Sequence, residues 1–103
     1  MIKDILKAAG LPFEETMFLR AVPAKTYAVY MDDVETYGSD LENLLYYHDI
    51  TVELYEPKAD PKAEADLEAQ LNKRGLKWTK QARYWIPDAQ RFQVIYEFTY
   101  ITK

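Results

Sequence analysis

The chain of 103 residues has no cysteine, one histidine (His48), one serine (Ser39) and three separated glycines. Without cysteine there is neither a disulfide framework nor a zinc–thiolate site, and the redox compartment stays open. A lone histidine excludes a two-histidine metal site within one chain. Gly10, Gly38 and Gly75 stand apart, so no glycine-rich phosphate loop exists. Ser39 lacks the strand–turn–helix setting of a nucleophile elbow. Basic residues are also short: thirteen Lys and Arg face seventeen Asp and Glu, for a net charge of −4 and a pI near 5.0. That balance argues against a dedicated binder of phosphate backbones. No apolar run approaches the roughly 18 residues that span a bilayer. Residues 1–7 alternate charged and apolar side chains and lack the apolar stretch of a signal peptide. The default expectation is a soluble intracellular protein.

What is present is apolar and aromatic. Hydrophobic residues make up 49% of the chain and aromatics 15%, a composition that folds. The length gives a single domain, residues 1–103. Surface scaling sets its accessible area at roughly 6,000 Å² folded against roughly 17,500 Å² unfolded, room for one modest core.

Periodicity orders the elements. Ile2, Ile5, Leu6 and Ala9 share one helical face over residues 2–9, with Gly10 placed as a C′ glycine and Pro12 beyond it. Residues 11–25, where Phe13, Met17, Phe18 and Leu19 call for burial, read as an irregular or short-strand connection. Residues 27–31 read as a strand with Tyr27, Val29 and Met31 on one face. Residues 32–40 have the composition of an exposed acidic loop, with one helical turn around 40–45 as the alternative. Over residues 44–55, Leu44, Tyr46, His48, Ile50, Val52 and Leu54 alternate with Asp49, Thr51 and Glu53, a strand with one buried face. Asp60 and Pro61 open a helix over residues 61–74 as cap and first-turn proline. Ala63, Leu67 and Leu71 form its apolar stripe, with Glu64, Asp66, Glu68, Lys73 and Arg74 on its solvent sides. Two further strands cover residues 77–86, with Trp78, Ala82, Tyr84 and Ile86 on one parity, and residues 91–102, with Phe92, Val94, Tyr96, Phe98 and Tyr100. A turn at residues 87–90 joins them. The fold class is α+β, order α-β-β-α-β-β, a four-stranded antiparallel sheet with both helices on one face.

Signatures of chemistry are sparse. His48 falls on the buried parity of its strand, which favours a packed or edge imidazole over a general base. Asp32, Asp33, Glu35, Asp40 and Glu42 offer oxygens to a divalent cation, but their spacing matches no calcium loop. No catalytic residue, metal or cofactor is expected, and the protein is read as a non-enzyme. Nine tyrosines and two tryptophans ask for an explanation. Tyr47 and Tyr55 lie off the core parity of one strand, Trp85 off that of another, and Tyr37 sits in the acidic segment. Cross-strand aromatic pairing is one account, worth up to about 1 kcal/mol per pair. A protein–protein surface is the other. A nucleic-acid stacking platform would need interleaved Lys and Arg, and here these are scattered.

The segments Tyr27-Ala-Val-Tyr30 and Ile50-Thr-Val-Glu-Leu-Tyr55, and Asp60-Pro61 before Glu64, Leu67 and Glu68, carry a resemblance. So do Tyr84-Trp85-Ile86 before a turn, Phe92-Gln-Val-Ile-Tyr96-Glu97-Phe98, and the N-terminal helix ending in Gly10-Leu11-Pro12. Together the chain resembles the small tail-completion or tail-terminator-like proteins of tailed phages and prophages of Gram-positive bacteria. The similarity covers most of residues 2–102 and is best from residue 48 onward, while residues 13–22 and 32–47 depart from it. The resemblance implies a structural virion protein at the head–tail junction, assembled in the host cytoplasm. It would form a ring with copies of itself, commonly of six subunits, that caps the tail tube. Its partners would be the tail tube protein and a head-completion or connector protein. DNA would pass through without specific binding, and no membrane is involved. A non-basic wall suits that passage, which makes Asp32, Asp33 and Glu35 candidates for the lumen or tube-facing surface, set against an ordinary solvated loop. Tyr37, Tyr47, Tyr55 and Trp85 are candidates for subunit contacts. The alternatives are a head–tail connector or minor capsid protein, and a small acidic phage-encoded regulator or inhibitor. The last needs carboxylates gathered on one face, whereas acidic residues here are spread among lysines.

Overall fold

A computed structural model describes residues 1–17, 22–38 and 44–103. Two helices and six strands follow in the order α1 (Ile2–Ala8), β1 (Phe13–Glu15), β2 (Tyr27–Tyr37), β3 (Leu45–Glu56), α2 (Pro61–Lys73), β4 (Trp78–Lys80), β5 (Tyr84–Ile86) and β6 (Arg91–Thr102). The strands form one mixed sheet, ordered β1-β2-β3-β6-β4, with β5 also paired to β6. β1 runs parallel to β2 and every other pairing is antiparallel. The single α+β domain and its helix-covered sheet agree with the expected class, but the sheet is six-stranded and mixed.

Register explains the core. Ala28 pairs Leu54, which pairs Val94; Tyr30 pairs Val52, which pairs Tyr96; Ile50 pairs Phe98. Paired residues share a face, and on this one Ile2, Ile5, Leu6, Leu67 and Leu71 of the two helices complete a single buried cluster. Both helices therefore lie on the same side. Each ends where expected, α1 at Gly10 with φ +76 and α2 at Gly75 with φ +70, a conformation that glycine adopts without a Cβ clash. Asp60 caps α2 through Oδ1, which accepts from the Ala63 amide at 3.1 Å, while its Oδ2 accepts from Thr26 Oγ1 at 2.6 Å.

Three readings need correction. Residues 32–37 are not a loop: β2 continues to Tyr37, and β3 pairs it along its whole length. Backbone pairing to β3 outweighs the poor strand preference of Asp and Glu, whose side chains reach water or a partner from the edge. On β2 the core parity belongs to Ala28 and Tyr30, so Tyr27, Val29 and Met31 share the opposite face. The helical turn placed around residues 40–45 falls mostly on residues outside those described, and β3 begins at Leu45.

The third correction concerns residues 77–86, which form two short strands. Lys80 pairs Tyr96 but Tyr84 pairs Gln93, so the outer chain carries one residue more than β6 over that span. This is a bulge, and it reverses the parity beyond it. Trp78 faces the core, whereas Tyr84 and Ile86 turn to the opposite face. Trp85 is brought onto the helix-bearing face, edge-on to Phe92 with ring centroids 4.9 Å apart. Sequence parity had placed it off that face.

Candidate interaction surface

β2, β3 and β6 extend past their outer partners β1, β4 and β5 as a three-stranded ribbon. Its rows are Asp33, Asp49, Thr99; Val34, His48, Tyr100; Glu35, Tyr47, Ile101; and Thr36, Tyr46, Thr102. The radius of gyration is 14.8 Å, where a chain of this length packs to about 13 Å, and the extents are 48 × 29 × 22 Å. The accessible area of 6807 Å² likewise exceeds the scaling value. The molecule is elongated along the ribbon.

On the helix-bearing side of the ribbon, polar groups surround Tyr100, which is the end of the core cluster. His48 Nδ1 lies 2.9 Å from Asp32 Oδ1 and 3.0 Å from Oδ2, and Nε2 lies 2.9 Å from Thr102 Oγ1. The Asp32 carboxylate accepts from Nδ1–H, and Nε2 shares a hydrogen bond with the threonine hydroxyl. The imidazole stacks on Tyr100 at 4.5 Å. His48 is thus a packed imidazole that ties β2, β3 and β6 together.

Among the described residues the opposite face carries no helix. From Val29 to Glu35 on β2, and in the matching rows of β3 and β6, it presents Asp33, Glu35, Asp49, Glu53 and Glu97 and no basic side chain. A recess of about 400 Å³ opens among them, lined by Glu15, Thr16, Met31, Asp32, Asp33, Asp49, Thr51 and Glu97. Aromatic residues frame this face. Tyr27 and Tyr55 stack at 5.2 Å, with the Arg91 guanidinium 5.6 Å from the Tyr27 ring. At the far end Tyr37 meets Tyr47 edge-on at 6.1 Å. Burial, then donation to Glu53, pushes the Tyr55 hydroxyl up to about 12. Donation to Glu35 raises Tyr37 above its ordinary value.

Of the seven residues singled out in the sequence, Asp33, Glu35, Tyr37, Tyr47 and Tyr55 share this open face. Asp32 and Trp85 lie on the other side. Strand alternation points the Asp32 side chain, which engages His48, away from those of Asp33 and Glu35. Asp40 and Glu42 lie outside the described residues. Sequence reading missed Asp49, Glu53 and Glu97 as members of the face, although Asp49 and Glu53 stood on the non-core parity of their strand. The mixing of acidic residues with lysines holds for α2 but not here.

A second charged cluster fastens α2 to the sheet. Arg83, in the bulge, donates from Nη2 to Glu64 at 2.7 Å and from Nε to Glu56 at 3.2 Å. Lys80 bridges Glu64 and Glu68, both at 2.8 Å, and the Tyr96 hydroxyl donates to Glu68 at 2.6 Å. Glu64, placed by sequence on a solvent side, is 4% exposed, and Glu56 is fully buried. Burial, then the neighbouring Glu64, raises the Glu56 carboxyl to about 7. Its Oε2 has no hydrogen-bond partner among the described residues. Burial alone would raise Glu64 too, but hydrogen bonds with Glu56, Lys80 and Arg83 hold it well below its ordinary value. Nothing in the sequence marked this cluster, because Glu56, Glu64 and Arg83 meet only through the fold.

No family model matches the sequence, and no curated protein matches it. Among solved structures the fold is similar to that of a chain in the virion of a native gene transfer agent particle. The two share 16% identity with a TM-score of 0.58, over 92% of this chain and 81% of that one. At that identity the likeness is one of fold.

Proposed function

We propose that this protein is a non-catalytic structural component of a phage or prophage virion, which closes the tail tube and joins it to the head as a ring of copies. The observation that carries the reading is the fold likeness to a virion chain along 92% of this sequence. The residue-level resemblance to tail-completion proteins points the same way. The sheet also fits the role. Its helix-bearing face is occupied by α1 and α2, whereas its open face is acidic and suits the wall of a channel through which DNA slides without adhering. The His48 constellation serves packing in this reading, and no cofactor or metal takes part.

Electron microscopy of particles from a phage lacking this gene tests the proposal. Overlong tail tubes without heads, beside filled heads, are the expected result. Tails of normal length detached from filled heads would instead assign the chain to the connector. Normal infectious particles would overturn the structural reading and favour a regulator that uses the acidic face.

A further inference from the structure

The ribbon has two unpaired edges. β1 pairs β2 only at Ala28, Val29 and Tyr30, so residues 31–37 of β2 have no outer neighbour among the described residues. β4 pairs β6 only from Tyr96 to Phe98, which leaves residues 99–102 of β6 equally open. Free backbone donors and acceptors on such edges recruit another strand. Three features say which strand.

The first is height. Asp33, Val34, Glu35 and Thr36 stand in the same sheet rows as Thr99, Tyr100, Ile101 and Thr102, across β3. The two open edges therefore match in level and in length. The second is direction. β2 and β6 are each antiparallel to β3, so they run parallel to one another. Rotation about an axis along the strands preserves strand direction and sets the β2 edge of one copy beside the β6 edge of the next. The third is charge. β1 and β2 carry Glu14, Glu15, Asp32, Asp33 and Glu35 and no basic residue. The opposite margin carries no acid over residues 99–102 of β6; α2 leads through Lys73, Arg74 and Lys77 into β4 beside Phe98, and β6 is followed by Lys103.

We infer that a second copy of this chain docks edge to edge, residues 32–37 of β2 running parallel to residues 99–102 of β6 in the next subunit. The contact is heterologous, so it propagates, and it closes into a ring when the rotation per subunit divides a full turn. The sheets then join into one continuous wall with the helices on one side and the acidic face on the other. This inference rests on the ring reading above and names the surface that builds the ring.

The native chain has no cysteine, which makes directed cross-linking direct. Glu35→Cys and Ile101→Cys lie in one row on one face, and both native side chains are exposed. Under mild oxidation a mixture of the two single variants gives covalent dimers, each variant alone gives none, and the double variant gives a ladder of covalent oligomers. Glu35→Cys with Thr99→Cys covers a stagger of one two-residue step. Circular dichroism matching the native protein establishes that the variants fold. Dimers from Glu35→Cys alone, or from Ile101→Cys alone, would mean a two-fold contact and overturn the inference. A native protein that oligomerises while neither pair cross-links places the ring contact elsewhere and leaves the proposed function standing. A native protein that stays monomeric at high concentration also overturns the edge contact, whereas the tail role is judged by particle morphology.

Discussion

At the base of the sheet Leu54, Val94 and Tyr96 lie fully buried beneath α1 and α2, held by apolar contact. Further along the same strands the rows read Val34, His48, Tyr100 and Thr36, Tyr46, Thr102, where an Asp32–His48–Thr102 chain and a stacked tyrosine take over from the core. The base packs against both helices, whereas the ribbon meets only the start of α1, where Tyr100 joins the core cluster. A protein that needed only to be stable could stop its strands where their outer partners stop. Here three strands continue with open edges and an acidic face that no described helix covers, so apolar packing is concentrated at one end and exposed polar surface at the other.

The largest effect expected from this division comes at the base. Leu67 is fully buried between α2 and the sheet. Leu67→Ala removes that contact and leaves a cavity, at a cost of about 2–5 kcal/mol in urea unfolding. Val34→Ala, on the ribbon with its side chain half in water, changes stability by about 0.5 kcal/mol or less. Equal costs at the two sites would abolish the distinction between the two ends.

The acid cluster at the base makes stability pH-dependent. Glu56 has a folded pKa of about 7, above its ordinary 4.5, so the protonated form favours the folded state. That contribution is fully present below the unfolded value and is lost as pH rises through about 7. Glu64 is shifted the other way, and its contribution is present above 4.5 and is lost as pH falls through its depressed folded value. Stability is therefore expected to fall between pH 5 and pH 8, by roughly tenfold in the folding constant or more. Glu56→Gln, which cannot ionise, flattens that limb. A native curve that stays level from pH 5 to 8 would show that Glu56 is ionised throughout.

On the ribbon, His48→Gln retains at most one of the two in-line hydrogen bonds and loses the stack on Tyr100. The expected loss is about 1 kcal/mol, read as a lower urea midpoint. Infectious particles should still assemble. A variant of native stability that yields no infectious particles would instead point to chemistry at His48.

The base was legible in the sequence because its signals are local. Ile2, Ile5 and Leu6 repeat at helical spacing, Asp60 and Pro61 announce a helix start, and alternation marks Ile50, Val52 and Leu54. The ribbon was less so. Asp32, Asp33 and Glu35 have loop composition, and only their pairing with β3 keeps them extended, a partner that residues 32–37 do not reveal on their own. Trp85 was assigned to the wrong face because one extra residue between Lys80 and Tyr84 is visible only against the register of β6. The acidic face was half legible: strand parity put Asp49 and Glu53 together, but only the sheet order sets Asp33 and Glu97 beside them.

The last test concerns that face alone, and its effect on stability is the smallest. Asp33 and Asp49 are direct cross-strand partners, and like charges in that position oppose one another. Asp33→Asn with Asp49→Asn should therefore raise stability by a few tenths of a kcal/mol, on the order of a cross-strand pair. A fold under selection for stability alone has no reason to retain the repulsion. A channel wall that must release DNA does, because each carboxylate keeps phosphates from settling on it. The double variant is thus expected to unfold at slightly higher urea while phage yield or genome ejection declines. Higher stability with unchanged yield and ejection would remove the open face from the proposed channel, and the two carboxylates would then be tolerated for no reason that the ribbon supplies.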